Sequence, residues 1–266
     1  MNKIVLLLFI TLIINSCISE PPENSKLNYK KNSAVKKSTN KKTIKKTNTS
    51  KLITNFNVKK KLSEYARNNN YNKIKISTTF GNIYIKLYEN TPLHRANFIM
   101  LIEKGFFDST LFYRVINNFM IQGGNSDKNI MFHKMAKIGN YKIPPEISEK
   151  YIHKRGALAM AVQEQYYNDP SKHDLASSPY NFYIVQKGPI SDNYMDKIEA
   201  RYNIKIPNGN RKVYKAIGGN PHLDNKYTVF GEVIKGMNVV DIIASQITND
   251  KNRPLKNVYL TMEIIK

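Results

Sequence analysis

At Lys73 the chain passes from a polar, lysine-rich leader to short apolar runs of period two, and this change limits its possible folds more than any other feature. Ile74, Ile76 and Thr78 alternate with polar residues, Phe80-Gly81-Asn82 supplies turn chemistry, and Ile83 to Tyr88 alternates again. That is the pattern of a β-hairpin with one buried face. Leu111 to Ile116, Phe119 to Gln122, Ala157 to Val162, Phe182 to Gln186, Tyr227 to Ile234 and Val258 to Ile265 read as further strands. Two stripes at helical spacing interrupt them. One runs from Thr91-Pro92 through Ala96, Phe98-Ile99 and Leu101-Ile102 to Gly105, and the other is Val239-Val240 with Ile242-Ile243. Many strands and two well separated helices predict a mainly β fold, a closed antiparallel sheet capped by helices.

Upstream of Lys73 the composition is different. Residues 20–73 hold fifteen basic residues against three acidic ones, Glu20, Glu23 and Glu64, which is more than half of the formal +22. Lysine pairs recur at 30–31, 36–37, 41–42 and 45–46 among Asn, Ser and Thr. Such a stretch buries too little apolar surface to offset its ordering entropy, so residues 18–72 read as a basic, disordered tether. Val58 to Asn68, with Leu62, Tyr65 and Ala66 at helical spacing, suggests a short helix within it. Regularly spaced lysines could instead hold anionic lipid, polysaccharide or nucleic acid. Between Ile18 and Asn57 only Tyr29 and Phe56 are available to stack bases, so no nucleic acid partner is expected.

Residues 1–17 begin with a charge, run apolar from Ile4 to Ile14 and end Asn15-Ser16-Cys17, the grammar of an export signal too short to span a bilayer comfortably. Cys17 is the chain's single cysteine, which excludes an internal disulfide and a thiolate metal cluster. Its setting, with Ile14 three residues before it and Ser16 immediately before it, resembles a bacterial lipobox. That resemblance implies lipidation at Cys17 and a protein anchored to the membrane at the cell envelope; the alternative is an ordinary cleaved signal. Several acyl chains would hold far more firmly than one.

Phe112-Tyr113-Arg114-Val115-Ile116, then Phe119-Met120, then Gln122-Gly123-Gly124 resembles the signature of the cyclophilin-type peptidyl-prolyl cis-trans isomerases. The match continues through Thr91-Pro92 with Asn97-Phe98, Gly156 to Ala161, Asn181 to Val185, His222-Leu223-Asp224 and Val229 to Val233, covering residues 73–266. The resemblance implies an eight-stranded antiparallel barrel capped by two helices, with an outer groove for an extended X-Pro segment. It also implies a monomer and polypeptide clients containing proline. By the resemblance Arg114 is the catalytic cation and Gln122 braces it and reaches the substrate backbone. Phe119, Met120, Tyr183 and Leu223 line the proline pocket; Ala161, Val162 and Asn181 meet the residue before proline; His222 and Tyr227 edge the groove.

This chain departs from the family pattern around the groove. Asn181 replaces a frequent glutamine, Pro179-Tyr180 replaces Gly-Ser, and Tyr183 adds a hydroxyl that needs a partner. His222 stands where eukaryotic members often carry a cyclosporin-contacting tryptophan, which implies weak binding of that drug; it is either a groove-edge hydrogen-bonder or a surface histidine. Tyr227 replaces a common groove histidine. These changes leave open a second reading, a proline-directed binding or chaperone module with weak turnover. Residues 189–220 form an insertion with Tyr194, Ile198, Tyr202, Val213, Tyr214 and Ile217 at helical spacing. The stretch from Gln163 to Ser178, with His173 and Asp174, reads as a polar surface loop. No nucleotide loop, metal-ligand spacing or nucleophile elbow is present, so no cofactor and no metal are expected.

Overall fold

The computed structural model describes residues 52–126, 128–162 and 174–265. The export signal, Cys17, the lysine pairs of the tether and His173 lie outside the described residues.

Eight strands form the body of the fold. They are β1 (Lys73–Thr78), β2 (Gly81–Leu87), β3 (Thr110–Ile116), β4 (Met120–Asn125), β5 (Ala157–Val162), β6 (Ser177–Val185), β7 (Val229–Lys235) and β8 (Tyr259–Ile264). The sheet closes in the order β1-β2-β7-β5-β6-β4-β3-β8, antiparallel at every seam. Closure removes the exposed edges an open sheet would carry, and eight strands leave an interior that side chains alone can fill. Ile74 and Ile76 sit opposite Ile85 and Ile83 across the first hairpin, and all four are fully buried. Gly81 has φ +125°, and a Cβ there would come within 3.0 Å of Val239. The Phe80-Gly81-Asn82 turn therefore needs its glycine both for backbone conformation and for space.

Helices α2 (Pro92–Glu103) and α6 (Met237–Ala244) cap this barrel. Phe98 of α2 packs edge-on against Phe182 at 5.5 Å and Phe230 at 5.2 Å, while Val239 of α6 reaches the Gly81 turn at the other end of β2. The first turn of α2 is satisfied from far along the chain: the Glu146 carboxylate accepts the backbone N–H of Leu93 and of His94, each at 2.9 Å. The same carboxylate holds His94 Nδ1 at 2.7 Å, and His94 Nε2 meets Ser177 Oγ at 2.9 Å. An acidic group at a helix N-terminus meets both the orphan donors and the dipole. His94 and Ser177 are fully buried and only Glu146 reaches the surface, so this Ser-His-Glu line ties α2 to β6.

The insertion forms α4 (Asp192–Tyr202) and α5 (Asn208–Ile217), helical as the spacing of its aromatic residues predicts. Ser191 caps α4 by accepting the Tyr194 N–H at 3.2 Å, and Asn203 ends it in the left-handed conformation.

Two features depart from the expectation. Helix α3 (Ile130–Ile138) burying Met131 and Ile138 was not foreseen, its two apolar anchors being too few to stand out. The packed part of the chain also begins before Lys73: α1 (Val58–Asn68) lies against α2, and Ile53, Val58 and Leu62 join the main core. Lys59 and Lys60 face solvent on the opposite side, and they give the stretch the composition of a linker. Leu62→Ala removes a fully buried side chain and is expected to cost about 2–5 kcal/mol. An unchanged denaturant midpoint for that variant would mean residues 58–68 are only a tether.

Candidate functional site

The pleat divides the apolar side chains of β4, β5 and β6 between two clusters. Ile121, Leu158, Met160, Phe182 and Ile184 point into the barrel, while Met120, Ala157, Ala159, Tyr183 and Val185 form a separate cluster on its outer face. Phe119, Ala161, Leu223 and Tyr227 pack against that outer cluster. Alanines at alternate positions of β5 leave the space that bulkier outward residues would fill. The result is an open cavity of about 540 Å³ lined by Arg114, Phe119, Met120, Gln122, Ala161, Val162, Asn181, Tyr183, Leu223 and Tyr227. Every groove residue expected from the sequence lines it except His222.

Arg114 and Gln122 are set by an irregularity in the β3–β4 ladder. Phe112 pairs with Gly123 and Arg114 with Gln122, so Tyr113 is an extra residue without a partner opposite. A bulge of this kind breaks the alternation and turns two consecutive side chains toward one facing residue. Gln122 thereby receives both: its Oε1 accepts from Arg114 Nη1 at 3.2 Å and its Nε2 donates to Tyr113 Oη at 2.8 Å. With both ends held, the amide cannot turn its nitrogen toward the guanidinium. Burial pushes the Tyr113 phenol up to about 12, so it remains a neutral hydroxyl at physiological pH. Among the described residues Arg114 forms no ion pair, and its remaining N–H groups stay available for a ligand. Strand alternation would place Tyr113 on the face opposite Arg114, and only the bulge brings the two together.

Gly123-Gly124 follows from packing. A Cβ at Gly124, where φ is +102°, would lie 1.8 Å from the Tyr180 carbonyl oxygen, and one at Gly123 would lie 3.0 Å from Phe182. Only glycine lets β4 approach β6 closely enough to bring Gln122 opposite Tyr183. The Asn181 side-chain oxygen is buried at the cavity with no hydrogen-bond partner among the described residues. A buried acceptor left unpaired costs about 1–3 kcal/mol, which an incoming N–H would recover.

The extra hydroxyl of Tyr183 has its partner. Tyr183 Oη lies 3.0 Å from His153 Nε2, and His153 Nδ1 lies 2.9 Å from Asp224 Oδ1. Tyr183 stands edge-on to Tyr227 at 6.0 Å, and burial drives its phenol pKa well above the ordinary value. His153 had no distinguishing context in the sequence. His222 sits one layer behind the cavity, its ring stacked on Phe119 at 5.9 Å and 14°, with Nδ1 buried and unpartnered among the described residues. Half-buried, it stacks behind Phe119 and does not itself line the cavity. Asp174, considered with His173 in the sequence, pairs with Lys142 at 3.0 Å. The Ala176 amide, then Lys142, hold its carboxyl below the usual range.

The family model of the cyclophilin type peptidyl-prolyl cis-trans isomerases matches residues 73–263. A Staphylococcus aureus protein assigned as a peptidyl-prolyl cis-trans isomerase is 30% identical over 189 residues, covering 71% of this chain and 88% of its own length. A Streptococcus pyogenes protein assigned as a bifunctional phosphatase/peptidyl-prolyl cis-trans isomerase is 31% identical over 196 residues. That match covers 72% of this chain but spans only 38% of the streptococcal protein. Among solved structures, a cyclophilin type peptidyl-prolyl cis-trans isomerase of Cryptosporidium parvum, crystallised in the presence of the dipeptide Ala-Pro, superposes with a TM-score of 0.50 at 19% identity. It covers 73% of this chain and 99% of the Cryptosporidium chain, a likeness of fold.

Burial, followed by the nearby charge of Lys226, lowers His222 from 6.5 to about 4. The folded state therefore favours the neutral ring, while the unfolded chain takes up its proton near pH 6.5. His222 lets stability stand in full above about pH 6.5 and removes it progressively as pH falls toward 4. His222→Phe keeps a ring in the stack and cannot titrate, so its denaturation midpoint should fall less over that window than the wild type's. Parallel midpoint curves for the two proteins would exclude His222 as the source of the loss.

Proposed function

The chain belongs to the cyclophilin-type peptidyl-prolyl cis-trans isomerases, and on that premise we propose that Arg114 turns X-Pro bonds of exported polypeptides at the cell envelope. The observation that carries the catalytic part is the presence of Arg114 and its Gln122 brace on the wall of the same cavity as the apolar notch.

Rotation about an X-Pro bond is opposed by amide resonance, with a barrier of roughly 18–20 kcal/mol and uncatalysed times of about 10–100 s. The task is to favour the twisted amide over the planar one. In the planar state the prolyl nitrogen lone pair is delocalised and accepts poorly; in the twisted state it is free to accept. A fixed guanidinium beside that nitrogen stabilises the twisted state selectively, which is what lowers a barrier. Arginine serves because it stays charged and its planar fork can be braced while still donating. Phe119, Met120, Tyr183 and Leu223 take the proline ring, and Asn181 Oδ1 accepts a backbone N–H of the residue before it. No proton is transferred, so Tyr227 in place of an imidazole bears on peptide preference and leaves the chemical step alone.

The envelope part rests on the amino-acid sequence. The charged start, the apolar run from Ile4 to Ile14 and Ser16-Cys17 support export, cleavage and lipidation at Cys17. Clients are then proline-containing chains folding outside the cytoplasm, met by a domain held at a membrane.

Isomerisation of a proline tetrapeptide tests the catalytic part. Arg114→Ala is expected to lower kcat/KM by about 10²-fold, the loss typical when one donor to developing charge is removed. Equal slow rates for variant and wild type would establish instead a binding module with weak turnover. Cys17→Ala should move the protein out of the membrane fraction and abolish incorporation of labelled fatty acid. Retention in that fraction with label intact would refute the anchor.

A further inference from the structure

If this groove turns X-Pro bonds, the insertion between Val185 and Pro221 acquires a task. Helices α4 and α5 bury Met195, Ile198 and Tyr214 with Ile190 and Ile206 in a small cluster separate from the groove's, with Ile152 of the main domain packed against it. Two tyrosines nevertheless connect the helices to the groove walls. Tyr214 of α5, fully buried, donates its hydroxyl to Asp224 Oδ2 at 2.6 Å. Asp224 Oδ1 accepts the His153 backbone N–H at 2.8 Å and faces His153 Nδ1 at 2.9 Å. The far nitrogen of that ring meets Tyr183 Oη, and the ring lies nearly parallel to Tyr183, at 6.0 Å and 13°. The polarity of the chain is consistent from end to end. With a neutral His153 ring protonated at Nδ1, Tyr183 donates to Nε2, Nδ1–H donates to the Asp224 carboxylate, and that carboxylate accepts a further hydrogen bond from the Tyr214 hydroxyl. His153, Tyr183 and Tyr214 are buried and Asp224 is only partly exposed, and a linked series in low dielectric holds each member more firmly than a lone bond does.

Tyr202 of α4 makes the second connection. Its ring stacks on His222 at 4.8 Å and 17°, and His222 in turn stacks on Phe119. Lys226 stands 5.4 Å from the Tyr202 centroid. Asn220, at the end of the insertion, donates to the Phe119 carbonyl at 3.1 Å. Both connections end on residues that line the cavity.

We propose that the two-helix insertion sets the shape of the proline pocket, with Tyr214 and Tyr202 as positioning residues. Tyr214 acts on Tyr183 through Asp224 and His153, and Tyr202 acts on Phe119 through His222. This rests on the isomerase reading of the groove, and the experiment keeps the two separable.

The test is a double-mutant cycle with KM, kcat and peptide Kd read for every variant. Tyr214→Phe removes one hydroxyl and keeps its ring. It is expected to raise KM about threefold to tenfold with kcat within about twofold, as loss of one hydrogen bond serving ground-state and transition-state binding alike should. Tyr183→Phe should do the same, and the double variant should be no worse than the worse single, because the two hydroxyls act as one series. Tyr202→Ala should raise KM similarly, and Tyr202→Phe, which keeps the stack, should restore it. A wild type that binds the proline tetrapeptide without isomerising it would remove the isomerase reading and leave the coupling readable in Kd. Additive effects in the cycle, or KM and Kd unchanged in folded variants with only a lower denaturation midpoint, would overturn the proposal and leave the insertion a structural appendage.

Discussion

Closing eight pleated strands on themselves gives every strand an inside and an outside, and the groove depends on that division. Ile121, Leu158, Met160, Phe182 and Ile184 fill the barrel; the residues between them cannot enter and must find another surface. On most of the wall that surface is water. Along β4, β5 and β6 it is a second apolar cluster in which Ala157, Ala159 and Ala161 are short and Met120 and Tyr183 long. The difference in length makes a concavity, and the barrel behind it supplies a floor that does not yield. Each fully buried aliphatic or aromatic core residue contributes roughly 1.5–3 kcal/mol, so the stability of the wall comes from the face opposite the site.

The same division would keep a strand residue and its neighbour on opposite faces, and the site breaks it once. The bulge at Tyr113 lets Tyr113 and Arg114 address Gln122 together. An unbraced arginine on a strand would spread over many rotamers in solvent. Here one of its nitrogens is committed to Gln122, and Gln122 is committed to Tyr113. The guanidinium is thereby presented in one orientation, and preorganisation of that kind is the larger part of what a fixed charge can offer a reaction.

Held by a cluster that Ile152 joins from the main domain, α4 and α5 also meet the groove walls through polar and stacked contacts. The tyrosine at 183, where phenylalanine would fill the pocket wall equally well, makes sense in this light. Its hydroxyl is buried, and it is tolerated because His153 stands beside it.

The barrel, its two caps and the residues that line the cavity were legible along the chain, His222 being the one expected residue that the cavity does not include. Period-two runs broken by turn residues specify strands locally, and the Arg114, Phe119, Met120 and Gln122 spacing is a short-range pattern. What stayed hidden involved partners far apart in sequence or signals masked by composition. The Glu146 cap of α2, the His153–Asp224 pair and the His222 stack each join residues whose nearness exists only once the sheet has closed. Helix α1 was legible from its spacing, but its packing against α2 was hidden by its lysines, since a solvent-facing charged side gives the stretch the composition of a linker. Amino-acid order thus determined which segments pleat, which coil and which side chains face outward, because those follow from steric preferences and burial within a few residues. The tertiary structure alone decided which outward side chains share a surface and which polar groups find partners, because hydrogen bonds and ring contacts depend on distances that chain order does not contain.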